Sequence, residues 1–182
     1  MKGLVNFIQE GLKLGSSKIK LDNEYTVHPK STGELINIIH ERIKDNPNAD
    51  LNDIDVSEIE DMSRVFGYDN ANFNGDISKW DVSNVRNMHA MFVRSKFNGD
   101  ISGWDVRNVK RMSSMFQSSK FTGENGDISK WDVRNVEVTA WMFNETNFDE
   151  DISNWDVSNV RNMDGMFDHC PLENHPPKWF IK

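Results

Sequence analysis

Apolar residues recur along this chain in a long repeating phrase. Residues 74–92 read "NGDISKWDVSNVRNMHAMF", and residues 98–116 read "NGDISGWDVRNVKRMSSMF". The tryptophan of this phrase falls at positions 80, 104, 131 and 155, in steps of 24, 27 and 24 residues. An earlier, degenerate copy covers 51–66 and has Ile54 at the tryptophan position. Five copies of one structural unit are therefore predicted. They begin near Leu51, Ile77, Ile101, Ile128 and Ile152.

The spacing of apolar residues within one copy predicts a strand followed by a short helix. Trp80 and Val82 are two residues apart, which places them on one face of a strand. Val85, Met88 and Phe92 follow at steps of three and four residues, the spacing of one helical face. The letters "FNGD" then predict a turn, because Asn and Gly tolerate a positive φ.

One copy cannot bury its own apolar face, so consecutive copies are expected to stack. The predicted fold class is α/β: a solenoid of about five coils with short parallel strands, a helical N-terminal cap and an irregular C-terminal cap. Proline would interrupt the ladder of hydrogen bonds between coils, and all five prolines lie outside the array. They are Pro29, Pro47, Pro171, Pro176 and Pro177.

Four segments are predicted along the chain. Residues 1–20 form a flexible or short amphipathic segment, 21–50 an N-terminal cap, 51–170 the repeats and 171–182 a C-terminal cap. In the N-terminal cap, Ser31 and Glu34 have the spacing of a capping box. An amphipathic helix is expected to follow over 33–45, with a strand near 25–27. In the C-terminal cap, Trp179 and Phe180 are expected to cover the last coil.

Composition narrows the choice of function. The 182 residues carry a formal net charge of -8, which argues against a general nucleic-acid binder. The single cysteine, Cys170, excludes a disulfide framework within the chain. No apolar run reaches the roughly 18 residues of a membrane span, and the first 20 residues lack the pattern of a secretory signal. A cytoplasmic location is expected, with secretion or surface display by a non-standard route as the alternative.

The repeated phrase, "F-N-G-D-I-S-x-W-D-V-x-N-V-x-x-M-x-x-M-F", resembles the BspA-like surface-protein repeats of bacteria and mycoplasmas, and similar repeats occur in phage-encoded proteins. The resemblance covers Leu51 to about Cys170, two thirds of the chain. It implies a leucine-rich-repeat-like solenoid that binds proteins, often in adhesion. It implies no catalytic residues.

Two polar columns repeat with the period of the phrase. If the tryptophans point inward, an aspartate column faces solvent at Asp55, Asp81, Asp105, Asp132 and Asp156. Stacked carboxylates repel one another, so they need backbone hydrogen bonds, neighbouring cations or a partner. An asparagine column at Asn84, Asn108, Asn135 and Asn159 is expected to be buried and to satisfy backbone groups of turns in the stacked coils.

The fourth copy departs from the pattern. Thr139 replaces the methionine of the other copies, and Trp141 replaces Ala90, Ser114 and Gly165. Trp141 either fills the space of the lost methionine or serves as an exposed anchor, a role in which tryptophan is over-represented. A third column, Arg86, Lys110 and Arg161 interrupted by Glu137, is either a solvated charged face or part of a basic patch with Arg94, Arg107 and Arg134.

The sequence contains only poor matches to metal-binding and catalytic motifs. Residues 70–81 resemble a calcium loop but lack its terminal glutamate, and His169, Cys170 and His175 have no common zinc spacing. The recurrent carboxylates lie in a row rather than as a pair in a pocket. No enzyme activity, cofactor or metal is therefore expected.

The favoured function is a non-enzymatic module that binds a protein partner of unknown identity through the exposed sheet face. Such a module fits a phage- or host-encoded interaction or inhibitor protein. The predicted partner-binding residues are Lys79, Asp81, Asp105, Arg107, Lys130, Asp132, Arg134 and Trp141. The alternatives are a secreted or surface adhesin, and a binder of an anionic ligand or nucleic acid.

Overall fold

The computed structural model describes residues 25–180, and they contain one α-helix and no β-sheet. The helix, α1, spans Thr32–Ile43, and three short 3₁₀ helices span Tyr68–Asn70, Ile128–Lys130 and Pro171–Glu173. The predicted α/β solenoid with parallel strands is therefore wrong. In place of strands, isolated parallel bridges join single residues of neighbouring copies, as between Asn87 and Arg111. The segment predicted over 1–20 lies outside the described residues.

Helix α1 follows the prediction for the N-terminal cap. Ser31 is its N-cap, and the Ser31 hydroxyl accepts a hydrogen bond from the Glu34 amide at 3.2 Å. Leu35, Ile39 and Ile43 recur every four residues and are buried, so this face covers the first copy. The strand predicted near 25–27 is reduced to one bridge between Val27 and Ile54.

The segment predicted as a strand is a pair of tight turns. The Trp80 amide donates to the Ile77 carbonyl at 3.2 Å, and the Val85 amide donates to the Val82 carbonyl at 2.9 Å. Both bonds close three-residue steps within the copy, so these residues cannot form an extended ladder. Trp80, Val82 and Val85 are nevertheless buried, as predicted. Successive turns and a strand-plus-helix unit bury the same positions of this phrase, which explains the error.

The segment predicted as a helix instead joins neighbouring copies. The amides of Met88, Ala90 and Phe92 donate to carbonyls of the next copy at 2.8–2.9 Å. The intervening amides bond within the copy: the Met91 amide donates to the Met88 carbonyl, and the His89 amide donates to the Asn87 side chain. Alternate amides therefore point out of the copy along the direction of stacking. An α-helix would have kept all of these bonds inside the copy.

Aromatic side chains form the core of the repeat stack, the name used here for residues 50–180. Parallel phenylalanine rings continue from copy to copy, with Phe92 and Phe116 5.5 Å apart between centroids. A second phenylalanine column packs beside the first, as Phe121 does against Phe116 at 4.1 Å. These two columns hold consecutive copies in register. The first comprises Phe66, Phe92, Phe116, Phe143 and Phe167, and the second Phe73, Phe97, Phe121 and Phe148.

The tryptophans form a third ladder. The Trp104 indole N–H donates to the Ile77 carbonyl of the preceding copy at 3.2 Å, and the ring is 4% exposed. The same bond recurs at Trp80, Trp131 and Trp155. Trp179 continues it into the C-terminal cap by donating to Ile152 at 3.1 Å. Each buried indole thus satisfies its polar group on a neighbouring copy.

Candidate functional site

Each carboxylate of the predicted aspartate column closes a turn in its own copy. The Asp81 carboxylate accepts a hydrogen bond from the Ser83 amide at 3.2 Å, two residues on. The same bond recurs at Asp55, Asp105, Asp132 and Asp156. These bonds are Asx turns, in which a short carboxylate satisfies a backbone donor nearby. The aspartate column therefore has a structural role, which is to stabilise one turn in each copy.

Two arginines of the predicted site pair with aspartates of their own turns. The Arg107 guanidinium contacts Asp105, and the Arg134 guanidinium contacts Asp132, each through a closest N–O distance of 2.8 Å. The hydrogen bond from Arg134 lowers the pKa of Asp132 to about 2. The hydrogen bond from Arg107 likewise lowers the pKa of Asp105. Both carboxylates are ionised at neutral pH.

These pairs form one charged row across the copies. The positive charge of Arg107 also lowers the pKa of Asp132 in the next copy, and that of Arg134 lowers the pKa of Asp156. The cations therefore offset the repulsion between stacked carboxylates. We call Asp81, Asp105, Arg107, Asp132 and Arg134 the Asp–Arg row. Its arginine side chains are about two thirds exposed, at 65% and 67%.

The other predicted site residues lie outside the Asp–Arg row. Lys79 borders a depression beside Arg42, Asp50 and Asp53, and Lys130 pairs with Asp127 at 3.1 Å. The described residues form no β-sheet, so the predicted partner-binding residues do not share a sheet face. The lysines belong to neighbouring turns with contacts of their own.

Trp141 lies over the backbone of the next copy and is half exposed. Its side chain is 50% accessible, and a Cβ atom placed on Gly165 would fall 2.2 Å from its Cδ1. Trp141 therefore does not fill the space of the missing methionine. Thr139 occupies that position, where its buried hydroxyl has no hydrogen-bond partner among residues 25–180. The indole of Trp141 is thus at the surface rather than in the space of the methionine.

The remaining columns are structural or internally paired. The Asn108 amide donates to the Ser83 carbonyl of the preceding copy at 2.7 Å, and equivalent bonds recur at Asn84, Asn135 and Asn159. The predicted burial of these asparagines is wrong, since all four are exposed, but their predicted hydrogen bonds to backbone groups are confirmed. Glu137 lies 3.7 Å from Lys110 and 3.9 Å from Arg161, so the acidic residue of the third column contacts the cations on both sides of it.

The weak metal candidates gain no support. Within residues 25–180, no group of three His, Cys, Asp or Glu side chains is placed to hold a metal ion. Asn70 of the calcium-like loop donates to the carbonyls of Ile36 and Val65. Cys170 is buried, which raises the pKa of its thiol, and His175 pairs with Asp149 at 2.7 Å.

Two recurrent features were missed at the sequence level. A second aspartate column closes the turn before Ile54 of the first copy and before the repeated tryptophan of the other four copies, as Asp76 does by accepting from the Ser78 amide at 2.9 Å. Its other members are Asp50, Asp100, Asp127 and Asp151. Trp179 was expected to cover the last coil, but its place in the tryptophan ladder was missed, although it lies 24 residues after Trp155, the commonest repeat step.

Copies of one phrase that stack through backbone ladders and buried aromatic columns define this chain as a repeat protein. The sequence profile of a family described as "Mycoplasma protein of unknown function, DUF285" matches residues 36–126 and 119–180. These segments cover most of the chain, which therefore belongs to that family. No match was found among curated proteins or among solved structures. Within residues 25–180, no helix is long and apolar enough to cross a bilayer.

Proposed function

We propose that this protein is a non-enzymatic module that binds a protein partner, with Trp141 as the anchor. The observation that carries the proposal is the half-exposed indole at a position where three of the other four copies have small residues. A tryptophan held against a neighbouring backbone loses little conformational freedom when a partner covers it. Partly exposed, well-supported aromatic residues are frequent centres of binding energy.

The Asp–Arg row supplies a charged surface that complements an anchor of this kind. Its arginines are mostly exposed, although each already contacts an aspartate. Such pairs orient a partner and speed its association more than they add affinity. We therefore assign the row to orientation and Trp141 to affinity.

The state of the aspartates supports a non-enzymatic role. Hydrogen bonds lower the pKa of Asp105, Asp132 and Asp156, whereas a general acid needs a raised pKa in an apolar pocket. We also propose that the repeats are of the BspA-like type. The match to the mycoplasma family and the length of the repeated phrase support this assignment.

A capture experiment with matched variants tests the proposed function. Immobilised full chain is incubated with extract of the source organism, and bound proteins are identified and then purified for a direct titration. The test variant is Trp141→Ser, because Ser114 occupies the equivalent position with a similar backbone φ of 55°. The control is Tyr68→Ser, which removes the other large apolar side chain exposed among the described residues, also at positive φ.

The expected result is a loss of about tenfold or more in affinity for Trp141→Ser, the size of a binding hot spot. Tyr68→Ser should bind as the parent does. The triple variant Arg107→Gln, Arg134→Gln, Trp141→Ser should also associate more slowly. A purified partner that binds the triple variant as tightly and as fast as the parent would contradict the choice of surface.

A further inference from the structure

We propose that a groove beside the C-terminal end of α1 binds a ligand with two or more phosphate or sulfate groups. The groove has a volume of about 610 Å³. Lys44, Lys96 and Lys120 line it, together with the side chains of Asn72 and Asn48. We call it the lysine groove. It is separate from the Asp–Arg row and from Trp141, so it does not depend on the proposed function.

The stacking of copies brings two of these lysines together. Lys96 and Lys120 each precede the second phenylalanine of their copies, and Asn72 holds the same place in the copy before. The Lys96 amide donates to the Ala71 carbonyl at 2.7 Å, and the Lys120 amide donates to the Ser95 carbonyl at 2.9 Å. The three positions are therefore successive steps of one column, about 5 Å apart at the backbone.

The third lysine comes from the N-terminal cap. Lys44 is the C-cap residue of α1, and it reaches the groove because α1 packs on the first copy. Part of its charge offsets the negative end of the helix dipole, so Lys96 and Lys120 supply most of the attraction for an anion. Lys44 closes one side of the groove.

The charges in the lysine groove are not neutralised within the described part of the chain. Lys44, Lys96 and Lys120 are exposed, and none forms an ion pair with a carboxylate of residues 25–180. The column of Glu60, Arg86, Lys110, Glu137 and Arg161 differs, because glutamates there contact the cations. Adjacent lysines on a chain of net charge -8 repel one another without compensation. A multivalent anion would relieve that repulsion.

The lining indicates the class of ligand. Lysine ammonium groups act as compact point charges with three donors each, which suits phosphate and sulfate oxygens. Asn72 and Asn48 add neutral amide groups at the wall. Successive cations one repeat step apart suit a linear ligand whose anionic groups are also a few ångströms apart. Oligophosphates and sulfated oligosaccharides share this chemistry.

Isothermal titration calorimetry of the full chain tests the inference. The probes are tripolyphosphate, an oligophosphate, and a fully sulfated tetrasaccharide, each titrated at about 50 mM and 150 mM salt. The test variant is Lys96→Gln with Lys120→Gln. The control is Lys79→Gln with Lys178→Gln, which removes the same charge from exposed lysines that border other depressions. Thermal unfolding of each variant verifies that it is folded.

The parent should bind at least one probe, and the Lys96/Lys120 variant should bind it about tenfold more weakly or worse, the effect of losing one charge-assisted hydrogen bond. The Lys79/Lys178 variant should stay within about twofold of the parent, since only long-range attraction is reduced. Whichever probe shows this difference identifies the source of the anion. Absence of binding by both probes, or equal behaviour of the two variants, would overturn the inference.

Discussion

The indole of Trp141 lies directly over Gly165, the equivalent residue of the next copy. A Cβ atom at Gly165 would be 2.2 Å from Cδ1 and 2.3 Å from Nε1 of that indole, closer than any real contact. Both residues have a positive φ, 56° and 59°. This left-handed position recurs in every copy, at Arg64, Ala90, Ser114, Trp141 and Gly165. The glycine therefore provides the space in which the tryptophan is held.

Replacing Gly165 with alanine should destabilise the protein by about 1–3 kcal/mol, because the new methyl group displaces the indole. Urea denaturation measures the loss. In a Trp141→Ser background the same change should cost less, since the clash is gone and Ala90 already adopts this φ. Equal costs in both backgrounds would mean that the two residues are not coupled.

Replacing Thr139 with valine should stabilise the protein by about 1–2 kcal/mol. The Thr139 hydroxyl is buried without a hydrogen-bond partner among the described residues, and valine has nearly the same shape without the polar group. Thermal and urea unfolding measure the gain. Thr146→Val is the matched control, because the Thr146 hydroxyl donates to the Phe143 carbonyl at 2.7 Å and its removal should destabilise.

Replacing Trp131 with phenylalanine should cost about 2–4 kcal/mol. The change removes part of a buried ring and leaves the Ile101 carbonyl without its indole donor. Trp179→Phe removes the equivalent bond at the end of the ladder, where the ring is only partly buried, and should cost about 1 kcal/mol. Denaturant unfolding compares the two. Similar losses would show that the ladder is no more important inside the repeat stack than at its end.

Two glycine-to-alanine changes should have opposite effects. A Cβ atom at Gly75 would fall 1.9 Å from the backbone oxygen of Ala49, so Gly75→Ala should cost about 2–3 kcal/mol. At Gly103 nothing lies within 4 Å, and other copies carry Lys79 or Lys130 at this position. Gly103→Ala should therefore stabilise by about 0.4–1 kcal/mol through the unfolded state. Melting temperatures of the two variants provide the test.

Stability should decrease as the pH falls from about 4 to 2. The pKa of Asp132 is lowered to about 2 in the folded protein, chiefly by Arg134, whereas an unfolded aspartate titrates near 3.9. The folded state therefore binds fewer protons in this window, and its advantage disappears as the pH falls through the folded pKa. Urea unfolding at pH 4, 3 and 2 measures the slope.

Asp132→Asn and Arg134→Met are the matched variants for the acid experiment. The first removes the titrating group, and the second removes the main cause of its lowered pKa. Both should show a shallower loss of stability between pH 4 and 2 than the parent. Parent-like slopes in both variants would show that the Asp132–Arg134 pair does not contribute to acid sensitivity.

Several features of the fold, though not its class, could be predicted from the chain alone. The repeat period, the capping box at Ser31 and the burial of Trp80 follow from the order of apolar and polar residues, and all three agree with the structure. The strand was wrongly predicted because Trp80 and Val82 have the two-residue spacing of a strand. Asp81 between them closes an Asx turn, which competes with the extended conformation.

The sequence by itself determined which recurrent apolar residues are buried and how often the unit recurs, because their burial follows a short-range pattern of polarity. Tertiary structure alone decided where the backbone hydrogen bonds go, since the Met88 amide finds its acceptor 23 residues away at Arg111. It also decided that Trp141 is half exposed over Gly165 and that Lys44 meets Lys96 and Lys120 in one groove. These relationships depend on the register between copies and on how α1 packs on the first copy, which no local spacing encodes.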